Sequence, residues 1–164
     1  MNLPAILTSI LLIAACVIPF VIIKKRSKKA EKEFLQILFD HASTGNNEIS
    51  QYEFTSRLAI GFAEATNFVF FLKKRGGKEV ITQVDLKRIE SCYINKTTRN
   101  STDGNYSSTD KIELLFAASD KSNPEAVFEF YNIEHDSLSM SEELQLAEKW
   151  HSIVNNRLSG KKSK

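Results

Sequence analysis

The sequence predicts an α+β protein in which an N-terminal transmembrane helix precedes a mostly antiparallel seven-strand domain capped by a C-terminal helix. Three observations predict this fold class. An apolar run of 21 residues without a charged side chain, Leu3 to Ile23, stands near the N-terminus. Short aromatic and β-branched runs separated by turn residues fill positions 49–133. Apolar residues at helical spacing then follow up to position 158.

The apolar run has the length and the flanking charges of a membrane anchor over residues 1–29. About 20 residues, each rising 1.5 Å, cross the hydrocarbon layer of a bilayer. Five cations follow the run: Lys24, Lys25, Arg26, Lys28 and Lys29. Because such charges stay on the cytoplasmic side, the sequence predicts a single-pass protein of the bacterial inner membrane. Its N-terminus would lie outside and its domain in the cytoplasm.

Two other interpretations of the N-terminal segment stay open. The sequence Ile13-Ala14-Ala15-Cys16 matches a bacterial lipobox with Cys16 as the lipidated residue, and a cleaved signal peptide also contains an apolar segment. However, the apolar run continues beyond Cys16 to Ile23, and the positive charges follow the run instead of preceding it. Both features favour the uncleaved anchor.

The charge balance and the absence of reactive motifs exclude several classes of function. Residues 30–164 carry 17 basic and 20 acidic side chains, a net charge of −3, which argues against nucleic-acid binding. The histidines, His41, His135 and His151, form no metal-binding motif, and there is no phosphate-binding loop or nucleophile elbow. We therefore predict no catalytic residues, no metal ligands, no cofactor and no enzyme activity.

Residues 30–45 are predicted to form a linker helix between the membrane and the domain. Phe34, Leu35, Leu38 and Ala42 fall at helical spacing, and they give the segment an apolar stripe. Polar turn residues from position 43 onward end the pattern.

Seven strands are predicted after the linker helix. They cover about 49–55, 57–63, 67–73, 79–84, 89–97, 111–118 and 126–133. The sequence Arg75-Gly76-Gly77-Lys78 predicts a tight hairpin turn between the third and fourth strands. The polar residues 98–110 are predicted to form a long loop.

The chain is predicted to end in one amphipathic helix. Ser139 and Glu142 have the spacing of a capping box. Trp150 is the only tryptophan, and it shares a face with apolar neighbours, so we expect it to anchor the helix in the core. Gly160 and the basic tail 161–164 are expected to lie beyond the helix.

The order of seven strands and one C-terminal helix resembles a pleckstrin-homology-like domain. Three sequences carry the resemblance: Val80 to Ile89 with its Asp-Leu-x-x-Ile ending, the strand Phe128-Glu129-Phe130-Tyr131-Asn132, and Ala147-Glu148-Lys149-Trp150 in the last helix. The chain is similar to a bacterial family of membrane-anchored domains of this kind. The resemblance implies an open barrel of two nearly orthogonal sheets over residues 48–160, with the helix plugging one end.

The resemblance also implies a ligand site at the hairpin. Lys73, Lys74, Arg75 and Lys78 surround this turn, and lipid-binding members of the superfamily hold head groups with basic residues on an early hairpin. The negative charge of the domain and the separate anchor weigh against that role. Our main hypothesis is therefore a non-catalytic cytoplasmic module that binds a protein or peptide, and a sensor of anionic head groups through 73–78 is the alternative.

One polar triplet, Glu134-His135-Asp136, has the residue types of a hydrogen-bonded histidine site. Loops collect such residues without any shared function. We therefore interpret the triplet as an exposed loop before the last helix.

Overall fold

The computed structural model describes residues 31–100, 107–118, 124–136 and 140–162. The predicted span 3–23, the cations at 24–29 and Cys16 lie outside these ranges. Within them, no helix is long and apolar enough to cross a membrane. The chain divides into two compact units after Ile37, and the domain described below begins at Leu38.

The secondary structure follows the predicted order. A helix, α1, covers residues 31–44. The elements after it are β1 (Gln51–Phe54), β2 (Leu58–Ala63), β3 (Phe68–Arg75), β4 (Lys78–Asp85), β5 (Ser91–Asn100), β6 (Ser107–Ala117), β7 (Ala126–Asn132) and α2 (Met140–Lys162). The predicted α+β class with seven strands and a C-terminal helix is confirmed.

The strands form two antiparallel sheets. The first has the order β1-β2-β3-β4 and the second has the order β5-β6-β7. Gly76 and Gly77 join β3 to β4 with φ angles of 56° and 79°, a left-handed conformation that glycine adopts without a steric penalty. The hairpin turn predicted from the sequence is therefore present, with Arg75 paired to Lys78.

The core lies where the two sheets and α2 meet. Phe71 of β3 stacks on Phe128 of β7 with ring centroids 4.9 Å apart, and it also contacts Phe130 at 5.1 Å. Trp150 of α2 is fully buried in the same cluster. This burial confirms the prediction that Trp150 is a core residue.

The second half of α1 covers the other face of the first sheet. Every residue of β2 is buried, which requires contacts on both faces of the strand. A side chain at Gly61 would meet Ile49 at 3.0 Å and Leu38 of α1 at 3.4 Å, so glycine permits this close approach. Leu38 and Ala42 are buried, as their helical spacing predicted.

The loop predicted for 98–110 is wrong over most of its length. Thr98, Arg99 and Asn100 extend β5 and pair with residues 107–109 of β6. The loop was predicted from the polar composition of this segment. Threonine is β-branched, however, and suits a strand even when both faces of the strand are polar. The register of the pair shifts at Thr97 and Thr98.

The predicted end of the last helix is also wrong. α2 continues through Gly160 to Lys162, so the first residues of the predicted basic tail 161–164 are helical. Gly160 is exposed and does not adopt a positive φ. Glycine ends a helix only when it takes the left-handed conformation, and a solvent-facing helix end has no packing that demands this.

Candidate functional site

Ion pairs join seven charged residues into a network that we call the ionic cluster. Its members are Arg57, Lys73, Arg75, Lys111, Glu113, Glu129 and Asp136. They come from the turn after β1, from β3, β6 and β7, and from the turn after β7. The cluster therefore ties the first sheet to the second.

Lys73 and Asp136 are the buried pair of this cluster. The Lys73 side chain is 4% exposed, and its Nζ donates to Asp136 Oδ2 at 2.8 Å and to the Phe130 carbonyl at 3.4 Å. Asp136 also accepts the backbone N–H of Asn132 at 2.8 Å and a bond from Arg57. A buried charge is tolerated when it is paired and hydrogen-bonded in this way.

A register shift between β6 and β7 places two carboxylates opposite each other. Ile112 pairs with Tyr131 but Glu113 pairs with Glu129, so Phe130 is an extra residue in β7. Like charges in such positions repel. Lys111 lies between them, with Nζ 2.6 Å from Glu113 Oε1 and 3.5 Å from Glu129 Oε2.

The network stabilises the charged forms of its members. Burial alone would raise the pKa of Glu129, but the hydrogen bonds from Asn132 and Arg75 and the charge of Lys73 hold that pKa below its usual range. The hydrogen bond with Glu113 raises the pKa of Lys111, partly opposed by burial. Glu129 is therefore an anion and Lys111 a cation at neutral pH.

Five members of the ionic cluster line a cavity between β4 and β7 that we call the corner cleft; Arg57 and Asp136 do not. The cleft has a volume of about 320 Å³. Its lining consists of Phe71, Lys73, Arg75, Val80, Thr82, Lys111, Glu113, Val127 and Glu129. Val80 and Val127 are 44% and 36% exposed, so the cleft combines a charged floor with apolar rims.

The four cations predicted to converge on the hairpin do not share one surface. β3 continues through Arg75, and successive side chains of a strand point to opposite faces. Lys73 and Arg75 therefore enter the ionic cluster. Lys78 is the cross-strand partner of Arg75, shares its face and is exposed, whereas Lys74 is exposed on the other face. A head-group site through 73–78 stays a prediction, with two of its cations paired to carboxylates.

The interpretation of the triplet 134–136 as an exposed loop holds for two residues and is wrong for the third. Glu134 and His135 are exposed, but Asp136 is 7% exposed and bonded to Lys73. Its partner lies 63 residues earlier in the chain, so no local pattern reveals the pair. One signal in the sequence could have indicated the ionic cluster. Glu113 and Glu129 stand among apolar residues of predicted strands, and a carboxylate at such a position needs a partner of opposite charge.

A second concave region, which we call the edge groove, runs between β1 and α2. It has a volume of about 470 Å³. Its lining residues are Tyr52, Glu53, Phe54, Thr55, Glu142, Gln145, Leu146 and Lys149. Glu53 fixes the two walls together, because it accepts the indole N–H of Trp150 at 3.1 Å and also bonds Lys149.

The β1 wall of the edge groove presents backbone hydrogen-bonding groups. The Thr55 N–H donates to the Leu58 carbonyl at 2.8 Å, so Thr55 and Glu53 direct their backbone groups toward β2. The alternate residues, Tyr52 and Phe54, then direct theirs to the outer side, where the described residues place no strand. Their side chains are 46% and 39% exposed.

The described ranges offer little for metal or thiol chemistry. They contain no group of three histidine, cysteine, aspartate or glutamate side chains placed to hold a metal ion. Burial raises the pKa of Cys92 to about 12, which keeps the thiol protonated and unreactive at neutral pH.

No family model, no curated protein and no solved structure matches the chain.

Proposed function

We propose that this chain is a single-pass membrane protein whose domain is a pleckstrin-homology-like module that binds an extended segment of a partner protein. The order of four strands, three strands and a terminal helix supports the pleckstrin-homology-like assignment. The observation that carries the binding role is the edge groove, in which the outer edge of β1, which pairs with no strand of the described ranges, faces the wall formed by α2.

The groove has the two features that strand addition requires. An extended peptide beside β1 can bond the outward N–H and C=O groups of Tyr52 and Phe54, which supply affinity without sequence preference. Its alternate side chains would contact exposed aromatic rings on one side and Leu146 of α2 on the other, which supplies selectivity. Natural edge strands are commonly protected by lysine or proline, and β1 contains neither.

A partner segment suits this edge better than β1 of a second copy. Symmetric antiparallel pairing through Tyr52 and Phe54 would centre on Glu53 and place it directly opposite Glu53 of the other copy. Like charges at such positions destabilise the pair. A segment with a neutral or basic residue at that position avoids the repulsion.

Membrane tethering completes the proposal. The predicted anchor 3–23 holds the module at the membrane surface, where a partner in the same membrane is met at a high effective concentration. A short four-residue edge can then suffice for specific binding.

The orientation of the anchor is tested by a reporter enzyme that is active only in the periplasm, fused after Lys164. We expect the fusion to be inactive, because the cations at 24–29 hold the following chain in the cytoplasm. A strongly active fusion would contradict the anchor, and lipid modification at Cys16 would support the lipoprotein interpretation.

The binding role is tested with a photo-crosslinking side chain at Gln145, which is exposed in the edge groove. The full-length protein is irradiated in its native membranes. We expect a covalent adduct with one partner species at this position. Gln83 on β4 is also an exposed glutamine and serves as the matched control. Equal labelling at both positions would mean that the groove has no preferred occupant.

A further inference from the structure

We propose, resting on the strand addition proposed above, that the partner segment in the edge groove is amphipathic. Its side chains on the face of Tyr52 and Phe54 are apolar, and a lysine or arginine stands among its side chains on the face of α2. The cation pairs with Glu142, at the end of the groove beside Thr55. The partner is therefore a strand with one apolar and one basic face.

The two faces of β1 differ in what surrounds them. Successive side chains of a strand point to opposite faces. Glu53 points toward α2, because its carboxylate accepts the indole N–H of Trp150 at 3.1 Å. Tyr52 and Phe54 lie on the opposite face, where the ring of Phe39 in α1 packs edge-on against Tyr52 with centroids 5.1 Å apart. A strand added beside β1 has the same alternation, so its side chains divide between an aromatic face and the α2 face.

The aromatic face favours apolar side chains in the added strand. Tyr52 and Phe54 are exposed, although Phe39 already covers part of the Tyr52 ring. Within the described residues β1 is the outermost strand of its sheet, so the exposed rings border the position of an added strand. Aromatic rings pair favourably with β-branched or aromatic residues directly opposite them. Such residues opposite Tyr52 and Phe54 would remove the rings from water.

The α2 face of the groove carries an exposed carboxylate. The α2 residues of the lining have the spacing of one helix face: Glu142, Gln145, Leu146 and Lys149. The Lys149 ammonium bonds Glu53, so its charge is compensated within the groove. Glu142 is exposed, and it forms no ion pair with any residue that the structure describes. The lining thus offers the Glu142 carboxylate to a cation of the partner.

Glu142 lies at the end of the groove where β1 finishes. The opposite end of α2 is fixed by Arg157, which donates to the Glu64 carbonyl at 3.1 Å. The Glu64 N–H in turn donates to Oγ of Ser50, the residue before β1, at 3.4 Å. α2 therefore runs antiparallel to β1, and its first turn lies beside Thr55, which lines the groove together with Glu142.

Negative charge around the start of α2 favours a basic residue of the partner over an acidic one. The charged groups of the lining are Glu53, Glu142 and Lys149, two anions and one cation. The first turn of α2 also contains Glu143, whose pKa is raised mainly by burial and further by the charge of Glu142. The partial positive charge of a helix N-terminus, about half a unit, is smaller than the charge of one carboxylate. A lysine or arginine therefore gains an ion pair with Glu142, whereas an acidic residue there would be repelled.

Peptide binding by the full-length protein, in uncharged detergent micelles, tests both faces. The probe is acetyl-Lys-Val-Thr-Val-Lys-amide, which reads the same in both directions and so presents a lysine near Glu142 whichever way it runs. Three matched peptides replace both lysines by glutamine, both lysines by glutamate, or both valines by threonine. The methyl NMR signals of Leu146, in the groove, report binding, and those of Val127, outside the groove, should not move.

We expect the lysine peptide to bind about threefold more tightly than the glutamine peptide, and the glutamate peptide to bind about threefold more weakly than the glutamine peptide. Exposed ion pairs change affinity by factors of this size. Threonine keeps the shape of valine but not its apolar surface, so we expect the peptide with threonine in place of valine to bind about tenfold more weakly.

A charge reversal assigns the preference to Glu142. Glu142→Lys is expected to reverse the order of the lysine and glutamate peptides. Glu148→Lys makes the same change in net charge on another side of α2, so it is the matched control and should leave the order unchanged. An equal response of both variants would mean that the net charge of the domain attracts the peptide, and it would overturn the role of Glu142.

The proposal is overturned if the lysine, glutamine and glutamate peptides bind equally well, although strand addition itself would then stand. It is also overturned if the peptide with threonine in place of valine binds as tightly as the lysine peptide. If no peptide shifts the Leu146 signals, strand addition at β1 is contradicted, and the amphipathic partner is contradicted with it.

Discussion

Replacing Asp136 by alanine is expected to lower the free energy of unfolding by about 3–5 kcal/mol, since it leaves the Lys73 ammonium buried without its closest carboxylate. Lys73 is 4% exposed, and its Nζ lies 2.8 Å from Asp136 Oδ2 but 3.5 Å from Glu129 Oε1. Glu129 is already shared with Arg75 and Lys111 and cannot replace the lost partner. Thermal unfolding of the full-length protein, followed by circular dichroism, measures the loss.

A double variant distinguishes the cost of leaving Lys73 without a carboxylate from the net contribution of the Lys73–Asp136 ion pair to the free energy of unfolding. Lys73→Met combined with Asp136→Leu removes both charges and keeps apolar bulk at each position. We expect it to be more stable than Asp136→Ala, because a buried ion pair contributes little beyond what an apolar pair of similar volume supplies. If Asp136→Ala melts like the unmodified protein, the carboxylate is not the compensating charge of Lys73.

Replacing Trp150 by alanine is expected to cost about 3–5 kcal/mol and to lower the melting temperature by roughly 10–20 °C. Trp150 is fully buried in the cluster that joins both sheets to α2. Alanine removes the ring and also leaves Glu53 without the indole N–H bond. The same thermal measurement tests this change.

Trp150→Phe serves as the control for the indole bond. It keeps an aromatic ring in the core but removes the N–H donor to Glu53 and part of the ring volume. We therefore expect a loss of about 1 kcal/mol from the bond and a further packing loss, together smaller than that of Trp150→Ala. A normal melting transition for Trp150→Ala would mean that the ring does not hold α2 on the sheets.

The elements of the fold were predictable because their signals are local. Gly76-Gly77 encodes a two-residue hairpin turn, and the spacing around Trp150 marks one face of a helix. The pairing of residues 98–100 of β5 with residues 107–109 of β6 was missed. A strand with two polar faces lacks the alternation of apolar and polar residues that marks a half-buried strand. The helical Gly160 was missed for a related reason: an exposed helix end has no tertiary contact that decides where it stops.

The candidate sites depended on contacts between distant parts of the chain. Lys73 lies inside the predicted third strand, but its partner Asp136 is 63 residues away and is fixed by the turn after β7. Arg75 joins the cluster because β3 runs two residues further than predicted. The opposition of Glu113 and Glu129 follows from the extra residue Phe130, which no pairing rule reveals from one strand alone. Tyr52 became a candidate binding residue only once the strand order placed β1 at a sheet edge.

Binding by strand addition along β1 is tested most sharply by the yield of the crosslinked adduct at Gln145 in a Phe54→Pro variant. Proline removes the outward N–H of Phe54, which strand addition needs, and spares the ladder bonds between β1 and β2. Phe54→Thr removes the same ring but keeps the N–H, and both variants should melt near the unmodified protein. We expect Phe54→Pro to abolish the adduct and Phe54→Thr to retain part of it. An adduct of undiminished yield in Phe54→Pro would contradict binding by strand addition along β1.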